Sequence, residues 1–305
     1  MLTVAELDRA TLVRRLRKGE LVLRTGPFAT RIHSDIGPVA DSLAFLYADY
    51  ALEPPDGFAD FHVNLLRSPG WRRWFRPQVR FDHDGLAPFT PLPLAHAYPM
   101  FEWVMNWCVS NHAHSYLIVH AAVVEKNGRA IILPAPPGSG KSTLCAALVL
   151  RGWRLLSDEL ALVRCEDGAL APLVRPVSLK NASIDVIRAF APHAQLGRPV
   201  QGTAKGTVGH LKAPAGSVRR ALETARAAHV VFPRYEAGAA TRFAPVAKAQ
   251  TFMRLADNAF NYAVLGQQGF TVLGRLVDQC EGQDFVYSRL EEAMDAFDAL
   301  AGMPA

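Results

Sequence analysis

Apolar positions follow two rhythms along the chain, and the change from one to the other divides it. Over residues 3 to 18, Leu7, Leu12, Val13 and Leu16 keep a helical spacing, and a second helix is expected near 37 to 49. Around them lie short runs that alternate as half-buried strands do: "ELVLRT", "FATRIH", "FADFHVNLLRS" and "PQVRFDHDGLAPF", the last turning at Asp84-Gly85. These predict a small α/β domain over residues 1–90. The proline-rich run "LAPFTPLPLAHAYP" reads as a connector, and 98–112 as a helix with Trp103 and Trp107 on one side. From 115 the runs lengthen into strand "SYLIVHAAVVE", a turn at Asn127-Gly128, strand "RAIILPA", a glycine loop, helix "KSTLCAALVLRG" and strands "WRLLSD" and "LALVRCE". That order predicts a second α/β domain over 91–305, built on a parallel sheet.

Composition narrows the class. Half of the 305 residues are apolar, enough to fill a sizeable core, yet charge interrupts every long run before the roughly 20 residues a membrane span needs. The N-terminus carries charge throughout and has no secretory pattern, so a cytoplasmic protein is expected. Cys108, Cys145, Cys165 and Cys280 are scattered, which argues against both a zinc site and a disulfide framework. The net charge of +5 is concentrated between 171 and 220, where eight basic residues face one acid, Asp185. A solvated face explains such a run by default, whereas a neighbouring phosphate site makes it an attractor for anions. Trp71, Trp74 and Phe75 among arginines could stack on bases, but strands with one apolar face give the same alternation, and no nucleic-acid partner is expected.

The glycine loop "APPGSGKST" supplies the candidate chemistry. It meets the last three positions of G-x-x-x-x-G-K-[ST] with Gly140, Lys141 and Ser142, and departs at the first, where Ala135 stands. Between a strand and a helix, backbone N–H groups of Pro137, Gly138, Ser139, Gly140, Lys141, Ser142 and Thr143, proline excepted, form the expected phosphate cradle. Lys141 would reach the β- and γ-phosphates and Ser142 would ligate Mg²⁺. Asp158 and Glu159 follow the next strand, so in a parallel sheet they stand beside the γ-phosphate. One can hold the metal and the other accept a proton from an attacking hydroxyl. His120, in an otherwise apolar strand, would by itself be an ordinary core histidine.

Residues 120 to 159 resemble the bacterial HPr kinase/phosphorylase family, in which a strand histidine, a phosphate loop and an acidic pair occur in this order and spacing. The likeness is nearest to the HPr-kinase-related branch, and there extends to "RPVSLKNASI", "GTVGHLKAP" and "VVFPRYEAG". The resemblance implies a P-loop kinase domain that uses ATP and Mg²⁺ to phosphorylate a hydroxyl, with His120 near the transferred phosphate and Asp158 as proton acceptor. It also implies a serine or threonine of a peptide or small protein as acceptor, and a peptide-chaperone partner. The family's second acid is Asp where this chain has Glu159, and its glutamate-bearing glycine signature is missing. HPr itself and reverse phosphorolysis are therefore not expected. Arg175, Lys180, Asn181 and Lys205 are expected to hold phosphate or an anionic substrate, with His210 a further donor. A small-molecule hydroxyl kinase and a non-catalytic ATP-binding partner of a peptide chaperone are the alternatives; no N-K-x-D stretch marks a GTPase. The sequence leaves a homo-oligomer open.

Overall fold

The computed structural model describes residues 1–70, 74–83, 85–136 and 138–302. The N-terminal part holds α1 (Arg9–Lys18), β1 (Leu21–Thr25), β2 (Phe28–Ser34), α2 (Gly37–Leu46), β3 (Leu52–Glu53), β4 (Phe61–Arg67), β5 (Gln78–Asp82) and β6 (Leu92–Pro93). Its strands form a six-stranded sheet in the order β3-β1-β2-β4-β5-β6. Asp8 caps α1 by accepting the Thr11 N–H at 2.8 Å, so the helix starts later than the periodicity predicted. The expected turn residue Asp84, like Trp71, lies outside the described residues, whereas Trp74 and Phe75 are exposed and follow β4 rather than lying in a strand. The proline-rich run is not a free connector: β6 pairs with β5, and a 3-10 turn at Leu94–His96 leads directly into α3 (Ala97–His112).

Beyond α3 come β7 (Tyr116–Lys126), β8 (Arg129–Pro134), α4 (Lys141–Leu150), β9 (Arg154–Ser157), β10 (Leu160–Arg164) and β11 (Leu170–Ala171). β12 (Val177–Lys180), α5 (Ala182–Phe190), β13 (Val200–Thr203) and β14 (Gly206–Leu211) follow. The chain closes with α6 (Ala215–Arg219), β15 (Arg226–Tyr235), β16 (Arg242–Val246), α7 (Lys248–Asp257), α8 (Tyr262–Leu265), α9 (Gln267–Gln279), β17 (Glu281–Tyr287) and α10 (Leu290–Leu300). The main sheet runs β11-β10-β7-β8-β15-β17-β16, with β9 also on β7, and β12-β14-β13 form a separate three-stranded sheet. The main sheet is mixed rather than parallel: β15 is parallel to both β8 and β17, but β7 runs against β8, β9 and β10. Among the described residues no helix is long and apolar enough to cross a membrane.

From Leu117 to Val124 β7 is apolar save for His120, because both of its faces are covered. Its alternate residues enter two different cores: Ile118, Ala122 and Val124 join the one built with α3, α4 and α10, whereas Leu117, Val119, Ala121 and Val123 join the one built with α7 and α9. Strand period two therefore puts His120 on the α4 face, the face onto which the glycine loop opens. The first core continues from α1, α2 and the N-terminal sheet through α3 to the main sheet.

Candidate functional site

The glycine loop leaves β8 at Pro134 and ends where α4 begins. Gly138 and Gly140 have φ of 87° and 88°, in the left-handed region that only glycine enters freely. Gly140 caps α4 without a side-chain bond, so the N–H groups of the first turn stay open to an anion. The loop rests on two tyrosines. Tyr287 donates from its hydroxyl to the Gly140 carbonyl at 3.1 Å, and the Tyr235 N–H donates to the Ser139 carbonyl at 2.9 Å. A Cβ on Gly140 would lie 2.5 Å from the Tyr287 hydroxyl oxygen and 3.1 Å from Tyr235 Cβ, so the close approach as well as the φ requires glycine.

β9 and β10 are successive segments of one path along β7, pairing Ser157 with Val123 and Leu160 with His120. Asp158 and Glu159 form the break between them. At that level β8 makes its last pair, Pro134 with Ala121, on the other side of β7. The loop and the acidic pair thus emerge from strands that run in one direction with a single antiparallel strand between them, about 10 Å apart at the backbone. The expected neighbourhood is present, though not through the parallel sheet that predicted it.

His120 Nε2 lies 3.1 Å from Lys141 Nζ and 3.5 Å from Glu159 Oε2. One nitrogen cannot both accept from the ammonium and donate to the carboxylate, so the two contacts belong to different tautomers. Lys180 Nζ stands 3.9 Å from Glu159 Oε1. Asp158 is 5% exposed, and its Oδ2 accepts the Ser178 N–H at 3.0 Å. Its Oδ1 is buried with no hydrogen-bond partner.

The two acids are pushed in opposite directions. Burial, then the charge of Glu159, raises Asp158 to about 6, against the opposing pull of Lys141, Ser178 and Ser142. For Glu159 burial also acts upward, but His120, Lys141 and Lys180 outweigh it and hold the carboxyl well below the usual range. Asp158 therefore favours folding only while protonated: its contribution is complete below 3.8, its ordinary value, and is lost as pH rises through about 6. Glu159 contributes stability above its ordinary 4.5, and that is lost as pH falls. Asp158→Asn should accordingly stabilise the metal-free protein by about 1–3 kcal/mol at neutral to alkaline pH, the gain shrinking as pH falls toward that of a normal aspartate. Urea denaturation across that pH range measures it; a variant less stable than wild type at alkaline pH contradicts the burial cost.

A pocket of about 210 Å³ is lined by His120, Gly138, Ser139, Gly140, Lys141, Ser142, Thr143, Glu159, Ser178, Lys180 and Ser183, among others. Asp158 is not in its wall but neighbours Ser142, which is. Pro137 lies outside the described residues. Of the basic segment, the structure brings Lys180 to the pocket. Arg175 is buried elsewhere, its Nη1 at 3.7 Å from Glu102 Oε2 and its Nη2 donating to Asn106, so it does not serve as a phosphate donor. Asn181 holds a turn: its Oδ1 accepts the Thr207 N–H at 3.0 Å, and its backbone sits at φ 52°. Lys205, on the β13–β14 turn that Asn181 secures, stands 5.2 Å from the Trp103 ring, its pKa lowered by burial and by Lys180. His210 is buried against Tyr98, its Nε2 unpartnered and its pKa lowered by burial. Ser178 and Ser183, also in the wall, belong to no motif in the sequence.

Two larger clefts flank the pocket. One, of about 650 Å³, is lined by Ser139, Arg234, Arg242, Arg254, Asp257 and Asp284 among others; the second, of about 700 Å³, by Gly138, Thr143, Val186, Phe190, Tyr235 and Leu290 among others. A metal fits the donor set only in part: among the described residues no three His, Cys, Asp or Glu converge, while Ser142 in the pocket wall and Asp158, whose buried Oδ1 has no partner, are oxygen donors of the kind Mg²⁺ takes.

The family model of the SynChlorMet cassette protein ScmC matches residues 96–176, a span that includes His120, the glycine loop, Asp158 and Glu159. Among solved structures, the Hpr(Ser) kinase/phosphatase from Coxiella burnetii is similar over 61% of this chain and 99% of its own, at 12% identity and a TM-score of 0.28. At that level the likeness carries no functional weight. No curated protein sequence matches the chain.

Proposed function

We propose that the protein is an ATP- and Mg²⁺-dependent kinase that transfers the γ-phosphoryl group to a hydroxyl, with a serine or threonine of a peptide or small protein as acceptor. The observation that carries this reading is the acidic pair across one strand from a glycine-loop helix with no side-chain cap, with Lys141, His120 and Lys180 facing the same small pocket. A nucleotide holder needs the loop and Lys141; it does not need two carboxylates whose pKa values are driven apart.

In this reading the N–H groups at the start of α4 hold phosphate oxygens, and Lys141 and Lys180 offset the charge that develops on the transferred group. Mg²⁺, held by Ser142 and the acidic pair, would supply further neutralisation of phosphate charge. The acceptor oxygen bonds to the γ-phosphorus as the bond to ADP breaks, and its proton passes to Asp158, the more basic of the two acids. A second assignment, with Glu159 as base and Asp158 on the metal, is favoured by Glu159 lining the pocket while Asp158 lies beside Ser142. The arginine-bearing cleft supports a peptide over a metabolite, since Arg234, Arg242, Ala244 and Gln250 in its wall are exposed and leave it open to solvent.

Incubation with labelled ATP, Mg²⁺ and peptides or small proteins encoded beside its gene tests the reading directly; label on a serine or threonine supports it, and retention of intact ATP under all conditions refutes it. Lys141→Ala should weaken Mg·ATP binding by one to two decades, from the loss of charge-assisted bonds worth about 1.5–3 kcal/mol. Calorimetric titration measures this, and unchanged affinity would remove the nucleotide from the loop.

A further inference from the structure

We infer that the cleft walled by Val186, Phe190, Tyr235 and Leu290 is the nucleoside site, where the purine base of the nucleotide is held between α5 and the Tyr235–Tyr287 pair. The inference rests on the reading that the glycine loop holds a nucleotide, and adds which of the two flanking clefts takes its base.

Direction along the phosphate chain decides between the clefts. In a loop of this kind the backbone at the helix start cradles the α- and β-phosphates while the lysine reaches the β- and γ-phosphates. Lys141 Nζ lies 3.1 Å from His120 Nε2, so the γ end of the chain points at His120, Glu159 and Lys180. The arginine-bearing cleft adjoins that end: it includes Asn258, whose carbonyl accepts the His120 N–H at 2.8 Å. The aromatic cleft adjoins the other end. Neither cleft is lined by His120, Lys141, Glu159 or Lys180; the arginine-bearing one shares Ala135, Pro136 and Ser139 with the small pocket, where the loop leaves β8, whereas the aromatic one shares Gly138, Gly140 and Thr143, at the helix start that cradles the α- and β-phosphates.

The chemistry of the walls agrees. A purine is flat and uncharged, and is best held by apolar and aromatic surface with few polar contacts. The helix α5 already buries Ile184 and Ile187 in the core, yet it turns Val186, 43% exposed, outward into the cleft. Across from it Tyr235 is 53% exposed, its ring 5.8 Å from that of Tyr287. The other cleft offers three arginines and two aspartates, with Arg254 bonded to Asp284 at 2.7 Å, surroundings that suit a charged acceptor better than a base.

The test compares ATP with inorganic tripolyphosphate, each titrated with Mg²⁺ into the wild-type chain and into Val186→Ser/Tyr235→Ala. Alanine keeps the Tyr235 N–H bond to Ser139 and the Cβ against Gly140. The double variant should bind ATP about 10- to 100-fold more weakly, the range expected for loss of base stacking, and tripolyphosphate as wild type does. Unchanged tripolyphosphate binding also shows that the variant folds with its loop intact. The inference is overturned if the double variant binds ATP normally, or if Arg242→Ala/Gln250→Ala loses the same factor for ATP alone. If the wild-type chain binds neither ligand, the nucleotide reading itself fails and takes the base site with it. If it binds ATP but phosphorylates no acceptor, kinase activity fails while the base site stands. Photolabelling with 8-azido-ATP gives an independent readout: label within 182–190 or at Tyr235 supports the assignment, and label within 242–258 refutes it.

Discussion

Asp158→Asn should still bind Mg·ATP but transfer phosphate about 10²–10⁴-fold more slowly, the range that general-base assistance typically supplies. The exchange keeps the size of the side chain and an oxygen for the Ser178 N–H, now 3.0 Å from Oδ2, and removes the basicity. It should leave a protein at least as stable as wild type, because the charge removed is one that burial and Glu159 both oppose. Loss of transfer therefore cannot be ascribed to unfolding. Glu159→Gln is the informative comparison: Glu159 is held ionised by His120, Lys141 and Lys180, so its loss should act on the Mg²⁺ requirement more than on the rate at saturating metal. Single-turnover transfer beside ATP binding, for both variants, separates the roles. If Glu159→Gln abolishes transfer at saturating Mg²⁺ and Asp158→Asn only raises the metal requirement, the two exchange roles. If Asp158→Asn transfers at the normal rate, it is not the base.

What could be seen in the sequence was local. Val123, Ile132 and Leu148 lie within long apolar runs bounded by an Asn-Gly turn and a glycine loop, so β7, β8 and α4 fall within a few residues of their expected places. Strand direction was not visible, because an apolar run reads the same in either orientation; hence the mixed sheet was missed while the meeting of loop and acidic pair was anticipated. Between residues 166 and 205 the signals thin out: β11 is two residues long, and β12 and β13 four each, too short for a periodicity. The basic segment shows the limit most clearly. Lys180 and Arg175 sit in one charge run five positions apart, yet one lines the pocket and the other is in the core, because β12 turns Lys180 toward Glu159 while Arg175 meets a glutamate 73 residues away. Composition counts charges; it does not say which of them fold inward.

Arg175→Ala should cost about 3–5 kcal/mol of stability, the typical penalty for stranding one member of a buried ion pair. Arg175 is 7% exposed and Glu102 5%. Glu102 Oε1 accepts the Tyr47 hydroxyl at 2.8 Å and the Tyr98 hydroxyl at 2.6 Å, while Arg175 Nη1 faces Oε2 at 3.7 Å. The network joins the end of α2, α3 and the chain after β11, so it ties α2 to the half that carries the pocket. Remove the guanidinium, and the buried carboxylate is left with neutral phenols as its neighbouring donors, their pKa values raised by burial and then by Glu102 itself. A solvated arginine that collects phosphate behaves differently: its loss changes stability by no more than about 0.5 kcal/mol and appears instead as weaker substrate binding. Urea denaturation and ATP titration on the same variant distinguish these cases. Glu102→Gln/Arg175→Met should recover much of the loss, since the amide still accepts from the tyrosines and no charge is left unpaired. Wild-type stability in Arg175→Ala together with weakened ATP binding would return Arg175 to the phosphate-binding role that its sequence neighbourhood predicted.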